Sequence, residues 1–421
     1  MKINKIKNRF YFLIFSIIIL RIGSYIPIPT ININNFNEII NYNNNNNIIK
    51  LLNIFYGDYI LHASIFSLGL IPYIMSSIFI QTLNLLNKKI FSNKIDNVNN
   101  NFIINQYIKY TTLILSIIQS TIITHHLLNS NNKNQLIIYE NIFITYLITV
   151  ISLVTSTIFL VWLSKNITKY GFGNGVSFII CINILSKLFY YLIDIINKIK
   201  LGNIKLLNIF IINIVIFFII FFIILIENGY KNIIVNFISI KNYKFKKNIY
   251  LPFKINMSGI IPAIVSYNIL FIIKIIFNWY IKNNNYNNFV YNNIYLQLYQ
   301  IIYIFFYIFV IFISCFIYNN ILFNNMEISK YFKKSDIIIP GIMPGLKTKI
   351  FIYKIIKKIT FINFLYISII CLIPEFINYF IEFPYYFNGI SFLIVIVTIM
   401  ECIKQIKTIL LCNKYKYKKI F

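Results

Sequence analysis

At 421 residues the chain has length enough for two or three water-soluble domains, yet 58% of it is hydrophobic and only 12% charged. With a mean hydropathy of +0.72, that excludes a polar surface facing water on all sides, and the chain reads as a membrane protein. The net charge of +28 does not point to nucleic acid, because the lysines are split among loops between apolar runs and form no single basic face.

A spanning helix needs roughly 20 predominantly apolar residues. In chain order the sequence predicts ten such stretches, at 10–28, 66–86, 103–128, 139–164, 173–196, 205–227, 256–280, 295–323, 359–381 and 386–412. The first run continues into "RIGSYIPIP", a poor processing site, so the N-terminus is expected to be retained. Loop charges then orient the spans. With a cytoplasmic N-terminus, the inner segments carry Lys2, Lys5, Lys7 and Arg9, then Lys88, Lys89 and Lys94, then Lys165 and Lys169, and later the dense run from Lys330 to Lys358. The outer side holds few lysines, such as Lys50, Lys133 and Lys282, as the positive-inside rule requires. The loop with Lys198, Lys200 and Lys205 runs against that trend. The Asn-rich tracts "NYNNNNN" and "NNNYNN" read as low-complexity filler on the outer side. The longest basic segments, 228–255 and 324–358, lie on the cytoplasmic side, where a partner would dock.

Motifs with possible chemistry are few. Gly171, Gly173 and Gly175 give GxGxG after an apolar helix, where a dinucleotide site needs GxGxxG inside a βαβ unit. "PGIMPGLKT" at 340–348 lacks P-loop spacing and reads as a stiff turn. Cys181, Cys315, Cys371, Cys402 and Cys412 lie in or beside apolar runs with no CxxC spacing, and His62, His125 and His126 have no carboxylate or cysteine at ligand spacing. No metal site, cofactor site or catalytic set is expected, which argues against a membrane hydrolase. Ion-coupled carriers keep charge deep in their spans. Here Asp194 and Glu227 lie near span ends, Glu401 is followed closely by Lys404, and Gln81, Gln119, Asn256 and Ser258 are uncharged.

Seven segments form an ordered set: "RIGSYIPIP" (21–29), "ASIFSLGLIPYIMSSIFIQTL" (63–83), "ITKYGFGNGVSFII" (167–180), "LPFKINMSGIIPAI" (251–264), "KKSDIIIPGIMPGLKT" (333–348), "LYISIICLIPEF" (365–376) and "FNGISFLIVIVTIMECIKQI" (387–406). Over nearly the whole chain this set resembles the SecY family, the channel subunits of the Sec protein translocase. The resemblance implies an all-α polytopic membrane protein of ten transmembrane helices in two pseudo-symmetric five-helix halves around a central pore. The halves would be 1–200 and 201–421, with a plug near 48–62. It implies a channel without catalytic residues or cofactors that moves unfolded secretory chains outward and releases transmembrane segments sideways into lipid.

Motif by motif, the resemblance puts an aliphatic pore ring on Leu70, Ile74, Val176, Ile180, Ile264 and Ile394, and polar lateral-gate positions on Gln119 and Asn256. It makes Gly171, Gly173 and Gly175 the glycines of the pore entrance. It also places cytoplasmic docking on Lys231, Lys333, Lys334, Met343 and Lys347. The implied partners are SecE-like and SecG-like subunits in a heterotrimer, the SecA ATPase or the ribosome, chains bearing signal sequences, and the lipid bilayer. The implied location is a bacterial inner membrane, with a plastid-type membrane as the alternative. Two departures bear on docking: Met343 stands where the family has an arginine, and "ENGYKN" at 227–232 keeps Lys231 as the only basic residue of a motif that has several.

Overall fold

The computed structural model describes residues 3–31, 64–86, 97–128, 141–202, 206–237, 249–267, 269–270, 291–322, 325–335, 337–380 and 389–418. The chain divides into two compact units, Met1–Lys205 with Thr398–Phe421, and Leu206–Val397.

The first unit begins with α1 (Ile3–Tyr25), followed by a 3-10 turn (Ile65–Leu68), α2 (Ile71–Leu86), α3 (Asn97–Leu128), α4 (Ile142–Tyr170) and α5 (Gly175–Lys200). Neighbours in sequence are neighbours in space from α2 to α5, and α4 also touches α1 and the 3-10 turn. The extended stretch after α1 bridges Pro27 to Ser64, and Ile65 N–H donates to Ile26 O at 2.9 Å. Ile28, Leu68 and Leu153 close a small core there.

Hydroxyls buried in these apolar helices need partners, since lipid offers none. They find them locally. Ser116, Ser120, Thr149 and Ser164 each donate to the carbonyl three residues earlier, which is how a serine sits in an apolar span at little cost. Ser156 does the same and also donates to Ile65 O at 2.7 Å, tying α4 to the 3-10 turn.

The second unit holds α6 (Leu206–Glu227), β1 (Tyr230–Phe237), β2 (Ile249–Lys254), a helical segment at 261–267, α7 (Tyr291–Leu322), α8 (Asn325–Lys334), β3 (Ile337–Ile338) and α9 (Leu346–Phe380). The last helix, α10 (Gly389–Lys418), crosses the boundary between units at Val397. On α6, Phe210, Phe217, Phe218 and Phe221 are exposed, as expected of a face that meets lipid.

Each predicted span contains helix, but the described ends do not all follow: residues 26–28, 69–70, 141, 173–174 and 256–260 are turn, bend or extended chain. Among the described residues, six helices are long and apolar enough to cross a membrane: Ile65–Asn84, Ile142–Tyr170, Phe210–Glu227, Ile302–Asn320, Leu346–Pro374 and Gly389–Cys412. This makes the chain a multi-pass membrane protein.

The two basic segments are not plain loops. β1 pairs antiparallel with β2 in the register Ile233↔Leu251 and with β3 in the register Asn236↔Ile338, giving the order β2-β1-β3. Ile233 and Val235 alternate inward and share a core with Phe253, Phe332 of α8 and Ile352, Ile355, Ile356 and Ile359 of α9. The spacing of those four isoleucines is that of one helix face, so α9 starts 13 residues before the predicted span at 359–381. Its first turns carry lysines outward, and the 324–358 segment is largely helical.

Candidate channel-forming site

The glycine turn joins α4 to α5 in a space too small for side chains. Gly171 N–H closes α4 by donating to Ile167 O at 2.8 Å, and a Cβ on Gly171 would press on Leu13 of α1. Gly173 has φ +77°, the left-handed region that glycine enters without penalty. Asn174 then caps α5, its Oδ1 accepting from Val176 N–H at 3.2 Å. A Cβ on Gly175 would run into the carbonyl of Ser164, so α5 starts directly against the last turns of α4. Val176 and Ile180, on the first turns of α5, are half-buried, while Leu70 and Ile74 at the start of α2 are buried.

In the second unit a polar core leads into the helical segment at 261–267. Glu227, at the C-terminus of α6, is only 2% exposed. A carboxylate there sits against the negative end of the helix and out of water, which is tolerated only with partners. Asn256 Nδ2 donates to Glu227 Oε1, and Lys254 Nζ stands 3.7 Å from Glu227 Oε2. Asn256 Oδ1 in turn accepts from Gly259 N–H at 2.9 Å. Ser258 Oγ accepts from Asn363 Nδ2 of α9, and Ser314 of α7 donates to Pro262 O at 3.2 Å. Four segments thus converge on the residues just before Ile264, itself buried. Ile394, near the start of α10, is buried too.

The SecY family profile matches residues 64–403. The protein translocase subunit SecY of Buchnera aphidicola subsp. Acyrthosiphon pisum is 40% identical over 98% of this chain and 94% of its own. The chain belongs to the SecY family. The fold agrees: a solved structure described as a protein-conducting channel has a TM-score of 0.63 at 13% identity, over 95% of this chain and 92% of the other. Sec61 in a canine ribosome-channel complex from the endoplasmic reticulum matches with a TM-score of 0.61, also at 13% identity, with the same coverage.

The remaining positions expected from the sequence fall as follows. Gln119 lies on α3, and its Oε1 is buried without a hydrogen-bond partner among the described residues. Asn256 has both ends of its amide engaged within its own unit by Glu227 and Gly259. Lys231 is exposed on β1, and Lys333 and Lys334 are exposed at the end of α8. Met343 is 68% exposed, with Lys347 Nζ 3.8 Å from its Sδ. The plug region at 48–62 lies outside the described residues. Among the described residues, no group of three or more His, Cys, Asp or Glu is placed to hold a metal ion.

Sequence reasoning missed Glu227 as a site residue. It placed the residue at a span end, whereas the polar residues at 254–258 that enclose it were the signal that it is buried. It also missed the sheet, whose alternation in "YKNIIVNF" is visible once β-branched residues are weighed there.

Proposed function

We propose that this chain is the channel-forming subunit of a Sec translocase and that it passes unfolded secretory chains across the membrane and releases apolar segments sideways into lipid. The observation that carries this reading is the family match spanning 64–403 together with 40% identity over 98% of the chain. As a channel subunit it is not an enzyme, and the energy for transport comes from outside it.

Leu70, Ile74, Val176, Ile180, Ile264 and Ile394 are assigned to the constriction. A narrow aliphatic ring sheds water and so resists ions, while its flexible side chains part around a polypeptide of any sequence. Polar groups there would bind some sequences and leak. Gln119 and Asn256 are assigned to the lateral gate, as polar positions that carry no charge of their own, Asn256 being held by Glu227 and Gly259. The cytoplasmic face carries the exposed Lys231, Lys333, Lys334 and Lys347, which suit an acidic or phosphate-rich partner such as the ribosome or the SecA motor. SecE-like and SecG-like subunits complete the assembly. The location is a bacterial inner membrane with the N-terminus cytoplasmic, in keeping with the bacterial relative and the lysine distribution.

Purified complex in proteoliposomes, with SecA and ATP, should protect a signal-bearing precursor from protease; protection equal to that of empty vesicles would refute the reading. Met343→Arg restores a planar fork of donors to the exposed turn. It should tighten SecA or ribosome binding about ten-fold, roughly the 1.4 kcal/mol of one charge-assisted hydrogen bond, as measured by microscale thermophoresis.

A further inference from the structure

The glycine turn is gripped from two sides by residues to which no role has been given above. From α1, the Arg9 guanidinium donates to Gly171 O at 3.4 Å and lies 5.9 Å from the centre of the Phe172 ring. Phe172 itself is 2% exposed. Next to Arg9, Phe12 meets Tyr170 with ring centroids 5.7 Å apart, and Leu13 stands where a Cβ of Gly171 would go. From α10, Gln405 Oε1 accepts from Gly173 N–H at 2.7 Å, and Cys402 Sγ stands 3.7 Å from Phe172 O.

The turn needs this help. A left-handed glycine points its amide away from the helices on either side, and a buried amide without an acceptor is destabilising. Gln405 supplies that acceptor. Arg9 holds the turn from α1, its Nη1 donating to the Gly171 carbonyl while its planar guanidinium lies near the Phe172 ring, a combination that the compact ammonium of lysine reproduces less well. The chain has two arginines among its 39 basic residues, and the second, Arg21, also reaches this region, donating to Ile182 O of α5 at 3.5 Å.

We propose that Arg9 and Gln405 are positioning residues: by holding the turn from α1 and α10 they fix the first turns of α5, and with them Val176 and Ile180, in the place that keeps the resting channel tight to ions. The inference rests on the assignment of Val176 and Ile180 to the constriction.

The test is the resting conductance of the purified complex in planar bilayers, without precursor, at equal amounts of assembled complex. Gln405→Leu and Arg9→Lys should each raise the conductance about five-fold, the population shift expected from losing one hydrogen bond of ordinary strength. Gln405→Glu keeps an acceptor oxygen and should stay at the parental value. The double variant Val176→Gly, Ile180→Gly is run alongside. If it leaks while Gln405→Leu and Arg9→Lys remain tight, the grip on the turn is refuted and the ring assignment stands. If the double variant itself remains tight, the ring assignment falls and the inference with it. Leak in Gln405→Glu equal to that in Gln405→Leu would refute the acceptor argument. Should Gln405→Leu fail to assemble, Arg9→Lys, which keeps the charge, decides alone.

Discussion

Two approaches to proposed ring residues are built on opposite principles. The turn before Val176 and Ile180 is made largely of backbone: Gly171 and Gly175 let α1 and α5 come closer to α4 than a Cβ permits, and Gly173 supplies the left-handed residue between them. The approach to Ile264 is made of polar side chains, with Glu227, Lys254, Asn256, Ser258 and Asn363 holding it from α6, β2 and α9. Added volume threatens the first most, although it also leans on Arg9 and Gln405, while the second is sensitive to lost partners. Both bury polar groups by giving most of them a partner within the protein, the exception being Asn363 Oδ1, which is buried without one among the described residues.

That contrast can be broken by mutation. The largest effect is expected for Glu227→Ala, which strands the buried Asn256 amide and removes the partner of Lys254. It should destabilise the second unit by about 3 kcal/mol, read as a lowered Tm of the detergent-solubilised complex. Alanine at Gly175 should cost about 2 kcal/mol, since the new methyl meets the Ser164 carbonyl and the helices must part. If Glu227→Ala were neutral and Gly175→Ala likewise, the distinction between the two approaches would collapse. The smallest effect is expected for Asn174→Ala, which removes the cap of α5 and should lower stability by about 1 kcal/mol; a loss as large as that for Gly175→Ala would mean the cap, not the close approach, governs the turn.

Gly389 sharpens the comparison. At the start of α10 its Cβ would run into the carbonyl of Ile370 of α9, as that of Gly175 would into Ser164 of α4. The second unit therefore also uses a close glycine contact where one helix begins against its predecessor, and its polar core is an addition rather than a substitute.

Much of the fold was legible because hydropathy over roughly 20 residues is a strong signal, and every predicted stretch contains helix, though turns and extended chain occupy ends such as 26–28 and 256–260. Gly171, Gly173 and Gly175 were legible as a turn, since little else tolerates such spacing at the start of a helix. The small sheet was not, because β1 and β2 lie in a lysine-rich segment and gain their core from α8 and α9, 79 to 126 residues further along the chain. Glu227 was hidden for a related reason. Its partners Lys254 and Asn256 sit 27 and 29 residues away, brought back by the β1–β2 pairing, which no local pattern announces. Arg9 and Gln405 are more distant still, 162 and 232 residues from the glycines they hold.

The central claim is that Ile264 faces a translocating chain. A photo-reactive amino acid in place of Ile264, in membranes carrying a secretory chain stalled on its way across, tests it most directly. The account predicts a crosslink to the stalled chain that disappears when the chain is released. A crosslink only to neighbouring helices, with the stalled chain bound and a lipid-facing control on α6 behaving as expected, would contradict it.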